Sequence, residues 1–496
     1  MQDHLFGVET EYAVSGVFAT GEPIAPGDLA AALVRQATAM LPHLRSQSGT
    51  GLFLQNGGRL YVDCGWHPEI ATPECLDPWD VVRFVRAGDR IMERLRAAVE
   101  RENRGAAVMV FRANVDYSGA LSTWGCHESY LCRSPLPEVA ADLVPHLVSR
   151  PIFAGSGGFN PASSGLEFTL SPRAAFIGFE ESSDSVSRRG VIHTRDESLS
   201  GGNEKRLHVI FGESLCSDLA LWLKTGTTAL VVAMADAGVQ PGREVRLASP
   251  VAALRAFAAD PKGRARAVLA SGRTARALDI QRHYLQQAER HRDAGFMPAW
   301  ADAVCERWRE VLARLEAGPA ALSATLDWAI KHALYVDHAR RRGFSWQTLP
   351  LWARTAADGK ESGLLDARGE AGGRARLRLD PARLRDFMRL RQELFEIDVR
   401  FGEVGARGLF STLDRAGRLA HAIDGVGDRE IDRGVSHPPD RGRARLRGEA
   451  ITRLAGRVDQ YGCDWTGIWS PGTGRWLDLS DPFQEDADWS PMPQEA

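Results

Sequence analysis

The sequence is poor in cysteine, has no long hydrophobic run and carries no excess of either charge. Its seven cysteines are odd in number and scattered without CxxC spacing, which predicts a reduced, cytoplasmic protein without a structural zinc site. No apolar stretch approaches the length of a membrane span, and no signal peptide is visible at the N-terminus. The net charge of −3 gives no reason to expect nonspecific binding to nucleic acid.

What is present is an ordinary globular composition. The chain has 496 residues, of which 44% are hydrophobic and 25% are charged. A chain of this length can bury a large core and can hold more than one domain.

The first candidate site segment is Phe6–Val14, in which two carboxylates fall two positions apart. On a strand, Glu9 and Glu11 share one face, and the residues that alternate with them share the other. Neighbouring carboxylates repel each other unless a cation or basic groups lie close by. The pattern predicts either a strand that lines a site or an exposed edge strand with solvated acids.

A second segment, residues 56–63, repeats this alternation with other polar groups. Arg59, Tyr61 and Asp63 alternate with apolar residues, and Glu69 follows six positions later. Mg²⁺ takes oxygen ligands and usually keeps phosphate oxygens and waters in its shell. The two segments together favour a metal site, for which the oxygen donors are Glu9, Glu11, Tyr61, Glu69 and Glu74.

Several motifs occur in an order known from one protein family. They are Gly7–Tyr12 (GVETEY), Asn56–Asp63 (NGGRLYVD), His67–Cys75 (HPEIATPEC), Gly125–Leu131 (GCHESYL), His193–Glu197 (HTRDE), Arg206–Ile210 (RLHVI), Leu223–Gly226 (LKTG), Ala277–Arg282 (ALDIQR), Leu326–Trp328 (LDW), Pro438–Pro439, Arg443–Glu449 (RARLRGE), Asp464–Trp465 and Asp481–Phe483 (DPF). On these motifs, which run from residue 3 to about 483, the chain resembles the Pup ligase and depupylase family, and the Pup–protein ligase branch more closely. Pup is the prokaryotic ubiquitin-like protein.

The resemblance implies an α+β fold related to glutamine synthetase, with a curved, mainly antiparallel sheet backed by helices. Residues 1–415 would form the large catalytic domain, and residues 416–496 a small C-terminal domain. Residues 355–385 are poor in large apolar side chains and are expected to form a surface insertion. The residue pattern alone supports mixed α and β structure, with helices near 28–41 and 79–101.

The resemblance also assigns roles to individual residues. It implies Mg²⁺ binding by Glu9, Tyr61 and Glu69, nucleotide contact by Arg59, Thr72 and Trp465, and a catalytic carboxylate at Asp63.

Arg206 and His208 would share one face of a strand over residues 205–210. An ATP-using ligase needs positive charge around the polyphosphate, and the guanidinium suits phosphate geometry. Arg206 is therefore a candidate nucleotide contact and His208 a candidate metal ligand. A satisfied core histidine is the alternative for His208.

The implied reaction uses ATP and Mg²⁺ in two steps. ATP phosphorylates the γ-carboxylate of a C-terminal glutamate on a small acidic Pup-like protein, and a lysine amine of a target protein then displaces the phosphate. A lysine amine is protonated near neutral pH and must lose a proton before it attacks, so a nearby carboxylate base is useful. Asp63 is the candidate base.

Three alternative functions stay open at this point. The hydrolytic branch of the family typically carries a long loop before the strand Asn56–Asp63, whereas here only residues 15–55 separate that strand from the first one. This spacing resembles the ligases. Departures from the family pattern at Gly212–Leu215 leave a hydrolase, or a ligase acting on a small-molecule amine, as alternatives. A binding module without turnover is a third class, against which the retained Asp63 argues.

Four arginines form a regular row near the C-terminus. Arg441, Arg443, Arg445 and Arg447 alternate with small or apolar residues, which predicts a strand with four guanidiniums on one face. A solvated or internally paired row is the alternative. Because the resemblance places this segment near the docking site of the small acidic protein, Arg443 and Arg445 are candidate substrate contacts.

Overall fold

The three-dimensional structure is a computed structural model. It describes residues 4–47, 51–163, 165–195, 199, 202, 204–358, 363–368 and 374–492, with the backbone alone for 363–368 and 374–379. Asp196, Glu197 and parts of the expected insertion (359–362 and 369–373) lie outside the described residues.

The strands are short and fall mainly in the first half of the chain. They are β1 Phe6–Glu11, β2 Ala13–Val17, β3 His43–Ser46, β4 Leu52–Leu54, β5 Arg59–Val62, β6 Pro68–Ala71, β7 Ala107–Phe111, β8 Cys126–Cys132, β9 Gly158–Phe159, β10 Phe168–Thr169, β11 Phe179–Ser182, β12 Gly190–His193, β13 Lys205–Val209, β14 Arg266–Val268, β15 Thr274–Arg276, β16 Gly363–Arg368, β17 Arg374–Leu379, β18 Gly462–Cys463, β19 Gly467–Ser470, β20 Arg475–Asp478 and β21 Trp489–Pro491.

The helices alternate with these strands and then dominate the second half. They are α1 Pro26–Met40, α2 Pro78–Glu102, α3 Leu136–Ser149, α4 Pro151–Ala154, α5 Asp218–Asp236, α6 Pro250–Ala258, α7 Ala277–His291, α8 Ala301–Ala317, α9 Asp327–Arg341, α10 Leu349–Ala357, α11 Pro381–Phe401, α12 Leu409–Arg415, α13 Asp428–Ser436 and α14 Gly442–Leu454. The helices expected near 28–41 and 79–101 are confirmed as α1 and α2.

One large sheet organises the molecule. Its 13 strands run in the order β11-β12-β13-β8-β1-β6-β5-β4-β3-β18-β19-β20-β21. Among its described pairs, β11 with β12 and β3 with β18 are parallel, and the others are antiparallel. The expected α+β class with a mainly antiparallel sheet is therefore confirmed. The strand that carries Glu9 and Glu11 lies inside this sheet, so the edge-strand alternative is wrong.

The largest buried apolar clusters lie on one side of the sheet, where α2 and α5 pack, and a smaller cluster with Leu44 and Phe53 lies on the other side. The carboxylate of Asp77 caps α2 by accepting a hydrogen bond from the Asp80 N–H at 2.8 Å, and Pro78 supplies the fixed φ that suits a first helical turn. Helix α5 is long and apolar enough to cross a membrane, contrary to the expectation that no stretch approaches this, and its apolar window is 100% buried inside the protein. This burial fits a core helix.

The C-terminal strands extend the same sheet. Strand β18 pairs with β3 through Gly462↔Arg45 and Cys463↔Ser46. Residues of α14 and the last strands also share a buried apolar cluster with Leu44 and Phe53. The division at residues 415 and 416 stays a prediction.

Candidate active site

The register of β1 with its neighbours collects polar groups on the face of the sheet away from the core. Glu9 is the cross-strand partner of His127 on β8, and Glu11 is the partner of Glu69 on β6. Cross-strand partners point to the same face. Tyr61 on β5 is in turn the partner of Glu69, so four neighbouring strands contribute to one site.

One end of this site is basic. Arg206 on β13 donates a hydrogen bond to Glu9 Oε1 at 2.5 Å and another to Ser129 Oγ at 2.9 Å. The imidazoles of His208 and His127 each approach Glu9 Oε2 to 3.7 Å. Although burial opposes it, the Arg206 charge and the two imidazoles hold the pKa of Glu9 below its usual range. Burial, with Arg206 beside it, lowers the pKa of His208 well below normal, so this imidazole is neutral and able to ligate a metal.

The other end contains Asp63, in the turn after β5. Asp63 Oδ1 accepts hydrogen bonds at 2.7 Å from the N–H groups of Gly65 and His67, and Oδ2 lies 3.0 Å from His67 Nδ1. The same imidazole nitrogen lies 3.4 Å from Glu11 Oε2. Burial lowers the pKa of His67, but the two carboxylates outweigh it and raise this pKa to about 9. The positive charge of the imidazolium therefore offsets part of the negative charge of Asp63 and Glu11. The hydrogen bonds of the turn hold the Asp63 carboxylate in a fixed orientation.

Tyr61 and Glu69 lie between the two ends. Burial, followed by the charges of Glu9 and Glu11, raises the pKa of Glu69 well above normal. Burial, followed by the charges of Glu69 and Glu9, raises the pKa of Tyr61 well above its usual value. Glu69 Oε1 and Arg59 Nε are both buried and have no hydrogen-bond partner among the described residues. A buried acceptor and a buried donor without partners suit an additional cation and an additional anion.

The carboxylates of this face fit a hard metal ion. Oxygen or nitrogen atoms of Glu11, Glu69 and His127 lie within 4.8 Å of one another, and so do those of Glu9, His127 and His208. Oxygen donors match Mg²⁺, whereas imidazole more often binds zinc, copper, iron or nickel. The donor set therefore fits Mg²⁺ at its carboxylates, and the two imidazoles fit it less well.

A pocket adjoins the basic end. Its lining includes Glu9, Thr72, Arg206, Arg443 and Trp465. Thr72 Oγ1 accepts a hydrogen bond from the Val8 N–H at 3.1 Å, and Trp465 packs edge-on against Phe53 at 5.1 Å between ring centroids. The Arg59 guanidinium lies over the same Phe53 ring at 5.5 Å. The structure thus brings Arg59, Thr72, Arg206 and Trp465, which are far apart in sequence, to one side of the acidic cluster.

The arginine row is not a strand. Residues 442–454 form helix α14, in which Arg443 and Arg447 lie one turn apart and are 4% and 0% exposed. Both donate hydrogen bonds to Glu74, whose pKa they lower to about 2 against the effect of burial. The prediction failed because arginine at every second position resembles a strand, while the spacing of Ala444, Ala450, Ile451 and Leu454, which set the buried face, is helical.

The contacts of this helix also bear on the expected roles of three residues. Arg443 is buried beside the pocket and cannot be part of an exposed docking row. Arg445 is held by Glu449 at 3.1 Å and by the Glu485 backbone carbonyl. Glu74, expected among the metal ligands, is occupied by its two arginines, so the geometry removes it from the acidic cluster.

Three residues of the site were given no role from the sequence. His127 lies between Glu9 and Glu11, Ser129 anchors Arg206, and His67 bridges Asp63 and Glu11. A signal for His67 was available, because it follows Asp63 by four residues in one motif. The places of His127 and Ser129 depend on long-range strand register, which no local pattern reveals.

Glu128, between His127 and Ser129, points to the core. It is fully buried and receives two hydrogen bonds from Arg150 at 2.8 and 2.5 Å, with Lys224 at 3.4 Å. Tyr130 donates a further hydrogen bond at 2.8 Å. The motifs that contain Glu128 and Lys224 are therefore explained in part by a buried ion cluster behind the site.

Comparison with known proteins agrees with this geometry. The family described as "Pup-ligase protein" matches residues 4–353 and 379–469. Proteins named Pup–protein ligase are similar to the chain: that of Actinosynnema mirum is 32% identical over 473 residues, covering 94% of this chain and 93% of the relative, and that of Rhodococcus erythropolis is 30% identical over 474 residues with the same coverage.

Two solved structures have the same overall architecture. The complex of the prokaryotic ubiquitin-like protein Pup with its ligase PafA matches with a TM-score of 0.77 and 26% identity, covering 97% of this chain and 90% of that one. The Pup ligase PafA in complex with ADP matches with a TM-score of 0.71 and 27% identity over 88% of each chain. The family match over residues 4–353 and 379–469 and the identity to these relatives show that the chain belongs to the Pup-ligase family.

Proposed function

We propose that this chain is an ATP-dependent ligase that joins a Pup-like protein to lysine side chains of target proteins. In this reaction ATP phosphorylates the γ-carboxylate of the C-terminal glutamate, and the lysine amine displaces the phosphate to form an isopeptide bond. The observation that carries the proposal is the family match over residues 4–353 and 379–469, combined with adjoining groups of carboxylates and imidazoles that include Glu9, Asp63 and Glu69.

The separation of charge across the site supports nucleotide binding at one end and lysine binding at the other. Arg206 and the pocket lie at the Glu9 end, where a polyphosphate finds positive charge, and Arg59, Thr72 and Trp465 would contact the nucleotide there. Asp63 lies at the other end, where an ammonium finds negative charge. The carboxylate of Asp63 would take the proton that the lysine amine must lose before it attacks.

Magnesium is part of the same proposal. Glu9 on β1, Glu69 on β6 and Tyr61 on the next strand, β5, would hold it, and the neutral His208 is a further candidate ligand. When bound, Mg²⁺ offsets phosphate charge and orients the γ-phosphoryl group. The unpartnered Glu69 Oε1 and the raised pKa of the Glu69 carboxyl support a cation at this position.

The direction of the reaction follows the ligase branch. The segment between β1 and β5 is filled by β2, α1, β3 and β4, which leaves residues 48–50 as the part of that segment outside the described residues. This connection is short compared with the long loop typical of the hydrolytic branch. We also propose that residues 1–415 form the catalytic domain and residues 416–496 a small C-terminal domain.

The test is a ligation assay with the purified chain. ATP, Mg²⁺, a Pup-like protein ending in glutamate and a lysine-rich target should give a conjugate and ADP, and Asp63→Asn should give neither at the wild-type rate. Only five of the 61 basic residues of the enzyme are lysines, so self-modification is easily mapped and subtracted. Cleavage of a preformed conjugate without ligation would identify a hydrolase, and turnover with free amines alone would identify a small-molecule ligase.

A further inference from the structure

The pocket beside Glu9 has a polar end and an apolar end. Glu9 and Arg206 line the polar end, which adjoins the acidic cluster. Leu5 and Leu131 line the apolar end, where the Leu131 N–H donates a hydrogen bond of 2.9 Å to the Leu5 carbonyl. Leu5 precedes Glu9 by four residues, and because strand residues rise about 3.3 Å each, the two ends are roughly 13 Å apart. A nucleotide with its phosphates at Arg206 would therefore extend its base toward the apolar end.

A short C-terminal segment forms part of the wall at this end. Residues 479–483 follow β20, and Pro482 among them is buried and lines the pocket. Arg443 holds this segment at two points. Its side chain donates a hydrogen bond to the Leu479 carbonyl at 3.2 Å, and its backbone N–H donates one to the Pro482 carbonyl at 3.3 Å. The sequence motif Asp481–Phe483 thus belongs to the pocket wall.

The side chain that follows Pro482 has a partner on the β8 side of the pocket. The exposed Arg133 guanidinium lies over the half-buried Phe483 ring, 5.6 Å from its centroid. Arg133 comes directly after β8, two residues beyond Leu131, and Asp236 Oδ1 accepts a hydrogen bond of 2.8 Å from its backbone N–H. A cation within about 6 Å of an aromatic ring is attracted by the ring quadrupole. This contact therefore joins the β8 wall of the pocket to the C-terminal wall.

We propose that Phe483 is a positioning residue that fixes Pro482 as the wall against which the nucleotide base packs. Arg133 holds the Phe483 ring, and Arg443 holds the backbone of the same segment, so the wall is in place before the nucleotide binds. A wall that is ordered in advance costs less conformational entropy on binding than one that must be ordered by the ligand. This inference rests on the proposed use of ATP and adds to it the residues that position the base.

The experiment compares two ligands of the purified full-length chain. ADP has a base and two phosphates, whereas inorganic pyrophosphate has the phosphates alone, and calorimetry at saturating Mg²⁺ measures the dissociation constant of each. Phe483→Ala removes the ring, and Phe483→Trp keeps an aromatic face for the guanidinium. Arg133→Met removes the charge and keeps an unbranched side chain.

Phe483→Ala should weaken ADP binding by about 2- to 5-fold, the range of a cation–π contact at an exposed site, and leave pyrophosphate binding unchanged. Arg133→Met should cause a similar loss, and the double variant should lose little more than either single variant, because both changes remove the same contact. Phe483→Trp should bind ADP as wild type does. In the ligation assay, KM for ATP should rise by the same factor in Phe483→Ala, with kcat unchanged.

Phe179→Ala is the matched control. The Arg188 guanidinium lies over the Phe179 ring at 4.6 Å from its centroid, so this phenylalanine also has an arginine partner. Strand β11, which carries Phe179, lies at the opposite end of the strand order from β20 and β21. The affinities of this variant for ADP and for pyrophosphate should therefore equal those of wild type.

Three outcomes would overturn the inference. Unchanged ADP affinity in Phe483→Ala would show that the ring does not position the wall. An equal loss of pyrophosphate affinity, or an equal loss of ADP affinity in Phe179→Ala, would show general damage to the fold. If wild type binds ADP no more tightly than pyrophosphate, the pocket holds no base and the proposed use of ATP fails as well. The expected ADP results without any ligation would support the inference and refute the proposed reaction.

Discussion

Two buried glutamates, on the strands that flank β1, show that the two faces of this sheet serve stability and function separately. Glu128 on β8 is fully buried and points to the core, and Arg150, Lys224 and Tyr130 satisfy its carboxylate. Glu69 on β6 is 3% exposed and points to the cleft, yet Oε1 has no partner among the described residues and two carboxylates lie nearby.

The partners of a buried carboxylate indicate whether it serves structure or chemistry in this fold. A buried carboxylate with complete partners contributes to structure, since removing one member leaves an uncompensated charge. A buried carboxylate surrounded by like charges is unfavourable until a cation binds. The two faces of one sheet therefore respond differently to the same substitution of glutamate by glutamine, and the following experiments test this contrast.

The largest effect is expected at Asp63. In Asp63→Asn, the amide oxygen can still accept the hydrogen bonds of the Gly65 and His67 N–H groups, so the turn should persist while the base is lost. General-base assistance is worth about 10²–10⁴-fold, and single-turnover ligation should fall by that factor. ATP affinity should stay near the wild-type value. Ligation at the wild-type rate would remove Asp63 from the mechanism.

Glu128→Gln should act on stability instead. It leaves Arg150 and Lys224 buried around a neutral amide, and breaking a buried ion pair typically costs about 3–5 kcal/mol. Urea denaturation of the ligand-free protein measures the change in the free energy of unfolding. A loss below about 1 kcal/mol in the free energy of unfolding would mean that the ion cluster of Glu128, Arg150 and Lys224 contributes little to stability.

Glu9→Gln should weaken nucleotide binding in a Mg²⁺-dependent way. Changes to groups outside the metal's own ligands typically cost about 10–100-fold in metal affinity, so loss of a ligand should cost at least about tenfold. Titration of nucleotide at limiting and at saturating Mg²⁺ separates this effect from a general loss of affinity. Equal nucleotide affinity in the variant at limiting Mg²⁺ would rule out Glu9 as a ligand.

A smaller effect is expected from Arg447, which does not itself line the pocket but contacts two residues that do, Glu74 and Trp465. It donates hydrogen bonds to the Gly57 carbonyl at 3.1 and 2.9 Å and lies over the Trp465 ring at 4.8 Å from its centroid. Arg447→Met should therefore loosen Trp465 and weaken nucleotide binding by about threefold to tenfold, within the range of a buried cation–π contact.

Arg445→Met on the same helix is the control for Arg447→Met. Arg445 is paired near the surface with Glu449, and such pairs contribute about 0–1 kcal/mol. Its nucleotide affinity should equal that of wild type. If both variants weaken the nucleotide equally, the helix as a whole is responsible and Arg447 has no particular role.

Much of the site could be predicted because its signals are local. The alternation of Glu9 with Glu11, and of Arg59 with Tyr61 and Asp63, follows from strand periodicity alone. The order of the motifs then indicated the family, and the resemblance to that family supplied the α+β class. These patterns needed no knowledge of which strands pair.

The rest depended on distant pairing. Sequence could not show that His127 stands opposite Glu9, because strand register over more than 100 positions is set by the whole sheet. The arginine row misled because period-two spacing of charge coexists with helical spacing of apolar residues in α14. There the buried apolar contacts and Glu74 decide the structure, and the charge pattern on its own does not.

The contrast between the two glutamates is tested most directly by thermal unfolding of Glu69→Gln, with and without Mg²⁺ and ATP. Without ligand, the variant should be at least as stable as wild type, because it removes a buried carboxylate from beside Glu9 and Glu11. With Mg²⁺ and ATP, wild type should gain in Tm by ligand linkage and the variant should gain much less, so that their order reverses. A variant that is less stable than wild type without ligand, and that gains equally from Mg²⁺ and ATP, would contradict a metal-binding role for the cleft carboxylates.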